Sequence, residues 1–283
     1  MIDLPSSTAW EPLALPDAWA THVRARANDT PYRVQIQRPQ TPPPAAGFPL
    51  VYVLDGHDLF TGVADTVRRA SRRPESTGIA PMVVVGIGHE GDTQARAATR
   101  RRDCTPGHCS TETVTGATGG AAAFLDFIDR QLVPMIEADI PVDRARRGLL
   151  GHSLSGYFCL WAQAVRPDAF ACFAAISPSI WWNPATLQTP AASEPSPRTY
   201  LAAGQWEGEA APWQHTLAAD PAGLARRQQR QMIPRTRDLA TTLARAHGDD
   251  AVHFDLLAGE DHASVVAPAA TRALRFMQHA PTA

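Results

Sequence analysis

Apolar residues along the chain follow two periods, and the switches between them mark the elements. Residues 19–27 and 32–38 carry short alternating stretches, with Tyr32, Val34 and Ile36 on one side, which predicts a pair of antiparallel strands. Residues 40–49, with Pro42, Pro43 and Pro44, read as a surface loop. Residues 50–54 and 82–88 are unbroken apolar runs, the pattern of strands covered on both faces in a parallel sheet. Helical spacing appears over 59–73 and again over 120–139, where Phe124, Leu125, Ile128, Leu132 and Ile136 share a face. The alternation continues with strand 148–152, helix 155–166, strands 170–176 and 199–203, a polar helix over 224–247, strand 252–257 and a last helix over 265–278. This order predicts a doubly wound α/β architecture: a mostly parallel central sheet of about eight strands flanked by helices, in a single domain spanning 1–283. Residues 107–119 and 183–197 are rich in small residues, threonine or proline and read as long surface loops, a length at which lids and binding walls occur.

Composition narrows the class. With 44% hydrophobic and 19% charged residues and a formal net charge of -2, the chain has the balance of a globular protein, and its bulk charge gives no reason to expect nucleic acid or an anionic membrane as partner. The opening residues 1–11 show neither a basic nor an apolar run, and no apolar stretch is long enough to span a bilayer, so a cytoplasmic protein is expected. Four scattered cysteines, Cys104, Cys109, Cys159 and Cys172, are too few for a disulfide scaffold and are expected as thiols, with a Cys104–Cys109 bridge conceivable only after export. No His, Cys or carboxylate cluster has metal-ligand spacing, so neither a metal nor a cofactor is called for. All 26 basic residues are arginine, planar donors suited to carboxylate, phosphate or catecholate oxygens. Most of the adjacent pairs, Arg226-Arg227 among them, read as solvated faces.

The candidate chemistry lies between strand 148–152 and the helix after it. Gly151-His152-Ser153-Leu154-Ser155-Gly156 approximates G-x-S-x-G, with Ser155 in place of the last glycine, and small neighbours allow a tight turn to lift the Ser153 hydroxyl above the sheet. A serine hydroxyl needs a base. His262 is chosen from ten histidines because Gly259-Glu260-Asp261-His262-Ala263-Ser264 follows the last strand and returns to the nucleophile's edge. His152 is expected to point beneath the sheet as a packed, hydrogen-bonded core histidine. His57, His89 and His108 stand in loops at the catalytic edge as candidates to line the site. For the acid that orients the base, Glu207 lies three residues past the turn glycine Gly204, with Glu209 the near competitor and Asp261 a weaker one. The oxyanion donors are expected from the backbone N–H groups of Leu154, directly after the nucleophile, and of His57, after the strand ending at Leu54.

Five segments taken together, Tyr52-Val53-Leu54-Asp55-Gly56, Arg102-Asp103-Cys104-Thr105-Pro106, the Ser153 motif, Ser177-Pro178-Ser179-Ile180-Trp181-Trp182 and the His262 loop, resemble the esterase D-like branch of the α/β hydrolases. Within it they are most similar to bacterial trilactone siderophore esterases, over roughly residues 32–278. The resemblance implies the α/β-hydrolase fold and a serine esterase that cuts the ester bonds of enterobactin-like or bacillibactin-like macrocycles through an acyl-serine intermediate, releasing iron that belongs to the substrate. It also implies an anionic ferric substrate, met by Arg102, with Arg100 or Arg101, on a loop after the strand at 83–87, and by an aromatic wall of Trp181 and Trp182. A general carboxylesterase or thioesterase is the competing enzymatic reading, and a non-catalytic binding protein on the same scaffold is the reading from another class. Nothing in the sequence sets the oligomeric state.

Overall fold

Every residue of strands β3 (Phe48–Leu54) and β4 (Val83–His89) is buried, because successive side chains enter opposite layers. Leu50, Tyr52, Leu54, Val83, Val85 and Ile87 join one hydrophobic cluster, and Val51, Val53 and Val84 join the other. The first layer is completed by the helices around Phe124, Phe158 and Leu243, the second by helices Gly56–Ala70 and Val266–Gln278 through Phe60, Val67, Ala273 and Leu274. The computed structural model from which this architecture is taken describes residues 13–187 and 196–279. The opening residues 1–11, and residues 188–195 of the loop expected over 183–197, lie outside the described residues.

Eight strands form the sheet in the order β1-β2-β4-β3-β5-β6-β7-β8. β1 (Ala18–Arg24) pairs antiparallel with β2 (Pro31–Gln37), and β2 pairs antiparallel with β4. The others, β3 and β4 with β5 (Val142–His152), β6 (Cys172–Ile176), β7 (Arg198–Gly204) and β8 (Val252–Leu257), run parallel. Parallel strands all end on one side of the sheet, so the chain leaves Leu54, His152, Gly204 and Leu257 at the same edge, where ligands bind in such sheets. The α/β-hydrolase fold expected from the motifs is the fold observed.

Four elements differ from the sequence expectation. Arg100, Arg101 and Arg102, expected on a loop, lie in the helix Thr93–Asp103, which the Asp92 side chain caps by accepting from Ala95 N at 2.9 Å; only Asp103 of the helix is buried, so no apolar stripe announces it. β5 begins six residues early, at Val142, in a stretch of arginines whose pairing to β3 shifts register between Phe48 and Leu50. The polar helix over 224–247 is two helices, Pro221–Arg230 and Met232–His247, broken where Gln231 takes φ 46°. The helix over 120–139 contains a π segment at Phe127–Leu132, just before Pro134, which has no N–H for the regular ladder. Cys104, Cys159 and Cys172 are buried, and all four cysteines are free. Among the described residues no helix is long and apolar enough to cross a membrane.

Candidate active site

Ser153 sits between β5 and the helix Leu154–Val165 with φ 59° and ψ −117°, a strained backbone that lifts its hydroxyl above the sheet edge. Its neighbours pay for that turn in space. A Cβ on Gly151 would stand 2.4 Å from the Ser155 carbonyl oxygen, and one on Gly156 would stand 3.1 Å from that of Ile176. Ser153 N donates to Ile176 O at 2.9 Å, and Ser153 O accepts from Tyr157 N and Ser179 N at 2.9 and 3.0 Å. The elbow is thus tied to the ends of both β5 and β6.

His262 Nε2 lies 3.0 Å from Ser153 Oγ, and His262 Nδ1 lies 2.9 Å from Glu207 Oε2. With Nδ1 protonated toward the carboxylate, Nε2 is left to accept the serine proton. Glu207 is 1% exposed, on the turn Gln205–Glu207 after β7. Its other oxygen accepts from Gly204 N at 2.7 Å and from Ser177 Oγ. Burial alone would raise its pKa, but the bonds from His262, Ser177 and Gly204 hold it below the usual carboxylate range. Gly204 lets the two loops close, since a Cβ there would stand 2.7 Å from the Glu260 carbonyl oxygen, and Trp206 N donates to that oxygen at 2.9 Å.

Of the three carboxylates weighed from sequence, Glu207 meets the histidine. Asp261 shapes its loop instead: Oδ1 accepts from Ala263 N and Ser264 N at 2.8 and 2.9 Å, and Oδ2 from Gln214 Nε2 at 2.7 Å. His152 is hydrogen-bonded as expected, but it lies against the base rather than away beneath the sheet: its Nε2 donates to His262 O at 2.8 Å. Burial, and then the charge of His262, lower its pKa to about 4.

Leu154 opens the helix after the nucleophile, and His57 is the second residue of helix Gly56–Ala70 after β3, so the N–H of each has no acceptor within its helix. β3 and β5 are paired neighbours, which brings these two helix starts to one place on the edge. The His57 ring is turned away, donating from Nε2 to His89 O at 2.8 Å. Gly88 makes room for it, as a Cβ there would lie 2.7 Å from the ring.

Ser153 and His262 open into a cleft of about 500 Å³, lined among others by Ser179, Trp181, Gln214, Arg226, Arg227 and Arg230. Its cations come from the helix Pro221–Arg230, read from sequence as a solvated polar face, and Arg102 is not among the lining residues. Arg102 is on a helix rather than a loop, and its Nε is bound 2.7 Å from Asp103 Oδ1 and its Nη2 3.1 Å from Thr30 Oγ1. Arg230 stacks on Trp181, with its guanidinium carbon 4.0 Å from the ring centre, and makes a bidentate pair with Glu112 at 2.8 and 2.9 Å. Trp181 lines the cleft, whereas Trp182 packs inward with Nε1 donating to Gly107 O at 3.1 Å. The loop at 107–119 contributes no lining residue to this cleft; it is fastened behind it through Glu112 and through Ser110 and Thr111, which donate to the Trp182 and Trp181 carbonyls. His57, His89 and His108 do not line the cleft: His89 Nε2 faces Asp103 at 3.2 Å, and His108 Nδ1 lies 3.3 Å from Thr118 Oγ1. Among the described residues no group of three His, Cys, Asp or Glu side chains is arranged to hold a metal.

A serine on a strand-to-helix elbow, in the chain order Ser, Glu, His at the ends of β5, β7 and β8, places the molecule among the α/β-hydrolase serine hydrolases. Residues 25–255 match the family model Esterase ("Putative esterase"), and the chain belongs to that family. It is 34% identical to the ferri-bacillibactin esterase of Bacillus subtilis (strain 168), across 94% of this chain and 91% of that protein. It is 32% identical to the siderophore triacetylfusarinine C esterase of Aspergillus fumigatus, across 80% of each chain. Among solved structures, the siderophore hydrolase EstA from Aspergillus nidulans superposes with a TM-score of 0.78 at 27% identity, over 96% of this chain and 98% of that one.

Proposed function

We propose that this esterase acts as a single catalytic domain that cleaves the ester bonds of a trilactone catecholate siderophore, taken as its anionic ferric complex, with Ser153 as nucleophile, His262 as base and Glu207 as the acid that orients it. The observation that carries the reading is the unbroken chain from Ser153 Oγ through His262 to buried Glu207, opening into a cleft walled by Arg226, Arg227 and Arg230. His262 Nε2 takes the proton as Ser153 Oγ attacks the ester carbonyl, and the oxygen that becomes negative meets the N–H groups of Leu154 and His57. As the ester C–O bond breaks, the protonated imidazole, stabilised by Glu207, returns the proton to the departing serine oxygen of the macrocycle, which leaves as a hydroxyl. Water then repeats the sequence on the acyl-serine, releasing an acid and restoring Ser153.

The substrate class is supported by the arginine wall and by relatives named for ferri-bacillibactin and other siderophores. The guanidinium groups of Arg226 and Arg227 suit a bulky anion better than a small neutral ester, while Arg230 is engaged by Glu112 and Trp181. We place the reaction in the cytoplasm, where an imported siderophore would give up its iron and the four thiols would stay reduced. The deciding experiment compares kcat/KM for a ferric trilactone siderophore with that for an aryl butyrate, with Ser153→Ala as the blank. Strong preference for the siderophore is expected; preference for the aryl ester would make the protein a general carboxylesterase.

A further inference from the structure

Asp55 directly follows β3 and precedes helix Gly56–Ala70, and its carboxylate is buried beside the elbow with its side chain 7% exposed. It takes φ 54°, a left-handed conformation uncommon outside glycine. Arg100, from the helix Thr93–Asp103, clasps it in bidentate fashion, Nε to Oδ1 and Nη2 to Oδ2 both at 2.7 Å. Nη2 also donates to the His152 carbonyl at 3.1 Å. Ser155 Oγ donates to Asp55 Oδ2 at 2.7 Å and accepts from His152 N at 2.9 Å. Both peptide groups of the residue before the nucleophile are therefore held, the N–H through Ser155 and the C=O by Arg100.

The other half of Asp55 faces the oxyanion side. Its carbonyl accepts from Asp58 N and Leu59 N at 2.9 and 3.0 Å, so the first helical turn that carries the His57 N–H hangs from it. One residue thus fastens by its side chain to the elbow and by its backbone to the turn holding an oxyanion donor. A buried ion pair adds little net stability, because desolvation offsets its attraction, but it fixes direction where an apolar contact would slide. The serine that replaces the usual last glycine of the nucleophile motif has a purpose in this chain: it supplies the hydroxyl that joins the two halves.

We infer that Asp55, Arg100 and Ser155 are positioning residues that set the distance between the nucleophile and the oxyanion donors. The inference rests on the proposed roles of Ser153, His57 and Leu154. Such residues act on the transition state and leave the arginine-lined binding cleft untouched, so their loss should fall on kcat and not on KM.

The test uses the full chain with Ser155→Ala, Asp55→Asn and the double variant. Steady-state hydrolysis of an aryl butyrate is measured beside inhibition by an aryl trifluoromethyl ketone, which mimics the oxyanion once Ser153 has added to it. Ser155→Ala is expected to lower kcat about tenfold with KM within about twofold, and to raise the ketone Ki by the same factor as kcat/KM falls. Asp55→Asn is expected to cost about a hundredfold, with the double variant no worse, because Ser155 acts through Asp55. Should Asp55→Asn fail to fold, the kcat and Ki of Ser155→Ala decide. Unchanged kcat and Ki in Ser155→Ala, with only a lowered melting temperature, would make the network merely structural and overturn the inference; so would full multiplication of the two single effects. Turnover persisting in Ser153→Ala would instead remove the nucleophile assignment, and the two failures are distinct.

Discussion

His152 Nε2 donates a hydrogen bond to the carbonyl oxygen of His262 at 2.8 Å, so the residue before Ser153 holds the loop of His262. The two rings lie 4.7 Å apart, and a proton on His152 would place a second charge beside the imidazolium that the proposed mechanism forms at His262. Burial already keeps His152 neutral, with its pKa lowered from 6.5 to about 4. Between those values the unfolded chain binds a proton that the folded chain refuses, so stability rises with pH across this window and is lost as pH falls through it. The full effect is on the order of 3 kcal/mol. Glu207 acts in a separate, lower window, since its depressed pKa places its loss below the usual carboxylate range. Replacing His152 by Gln, which keeps a donor but does not titrate, should flatten the stability slope between pH 6.5 and pH 4, measured by urea unfolding at both ends. Equal slopes in the two proteins would assign the acid sensitivity elsewhere.

In the proposed mechanism Ser153 and His262 share one proton path, so removing either should cost as much as removing both. Ser153→Ala and His262→Ala are each expected to lower kcat by on the order of a millionfold, and Glu207→Gln by about ten-thousandfold. Glu209→Gln, which leaves the His262 contact intact, should be near wild type. Single-turnover measurements on a ferric siderophore check all four, and a Glu209 variant more damaged than Glu207→Gln would reverse the choice of acid.

What the sequence made legible follows its local rules. β3 and β4 are plain because Val, Ile and Leu fill both faces, and Ser153 and His262 are plain because each sits in a short motif at a strand end. Helix Thr93–Asp103 and the first half of β5 are hidden, since their exposed arginines carry no period. Asp55, Arg100 and Ser177 escape because their meaning lies in partners far along the chain: Asp55 with Arg100 at a separation of 45 residues, Ser155 with Asp55 at 100, and Ser177 with Glu207 at 30. The cleft arginines are likewise invisible, since their helix buries none of its residues and only the tertiary arrangement turns one side toward Ser153.

Those arginines separate binding from folding. Arg226 is well exposed and its nearest carboxylate, Asp220, lies 4.0 Å away, so Arg226→Ala should leave stability unchanged. With an anionic siderophore it should raise KM several-fold, more at low salt than at high, while KM for a neutral aryl ester stays constant. Arg102→Ala is the contrast. It strips a charged bond from buried Asp103, leaving Tyr32 OH at 2.8 Å and His89, and should lower the melting temperature while changing both substrates alike. A selective loss on the siderophore in Arg102→Ala would return that residue to the substrate.

The last prediction concerns Gly204, at which no side chain is accommodated although its φ of −80° is open to any residue. A Cβ there would lie 2.7 Å from the Glu260 carbonyl oxygen and 2.8 Å from that of Asp261, both backbone atoms of the loop that ends in His262. Because Gly204 N is also bonded to Glu207 Oε1, the displaced backbone would pull acid and base apart together. Gly204→Ala should therefore lower kcat by at least about tenfold, the scale on which small misplacements of reacting groups are felt. Gly62→Ala is the control, since a Cβ in that part of helix Gly56–Ala70 meets nothing within 4 Å and should stabilise the protein by about 0.5–1 kcal/mol. If Gly204→Ala kept full kcat, the closure of the histidine loop on β7 would not be what aligns His262 with Glu207, and the alignment would rest on the other ties of that loop, the His152 and Gln214 bonds.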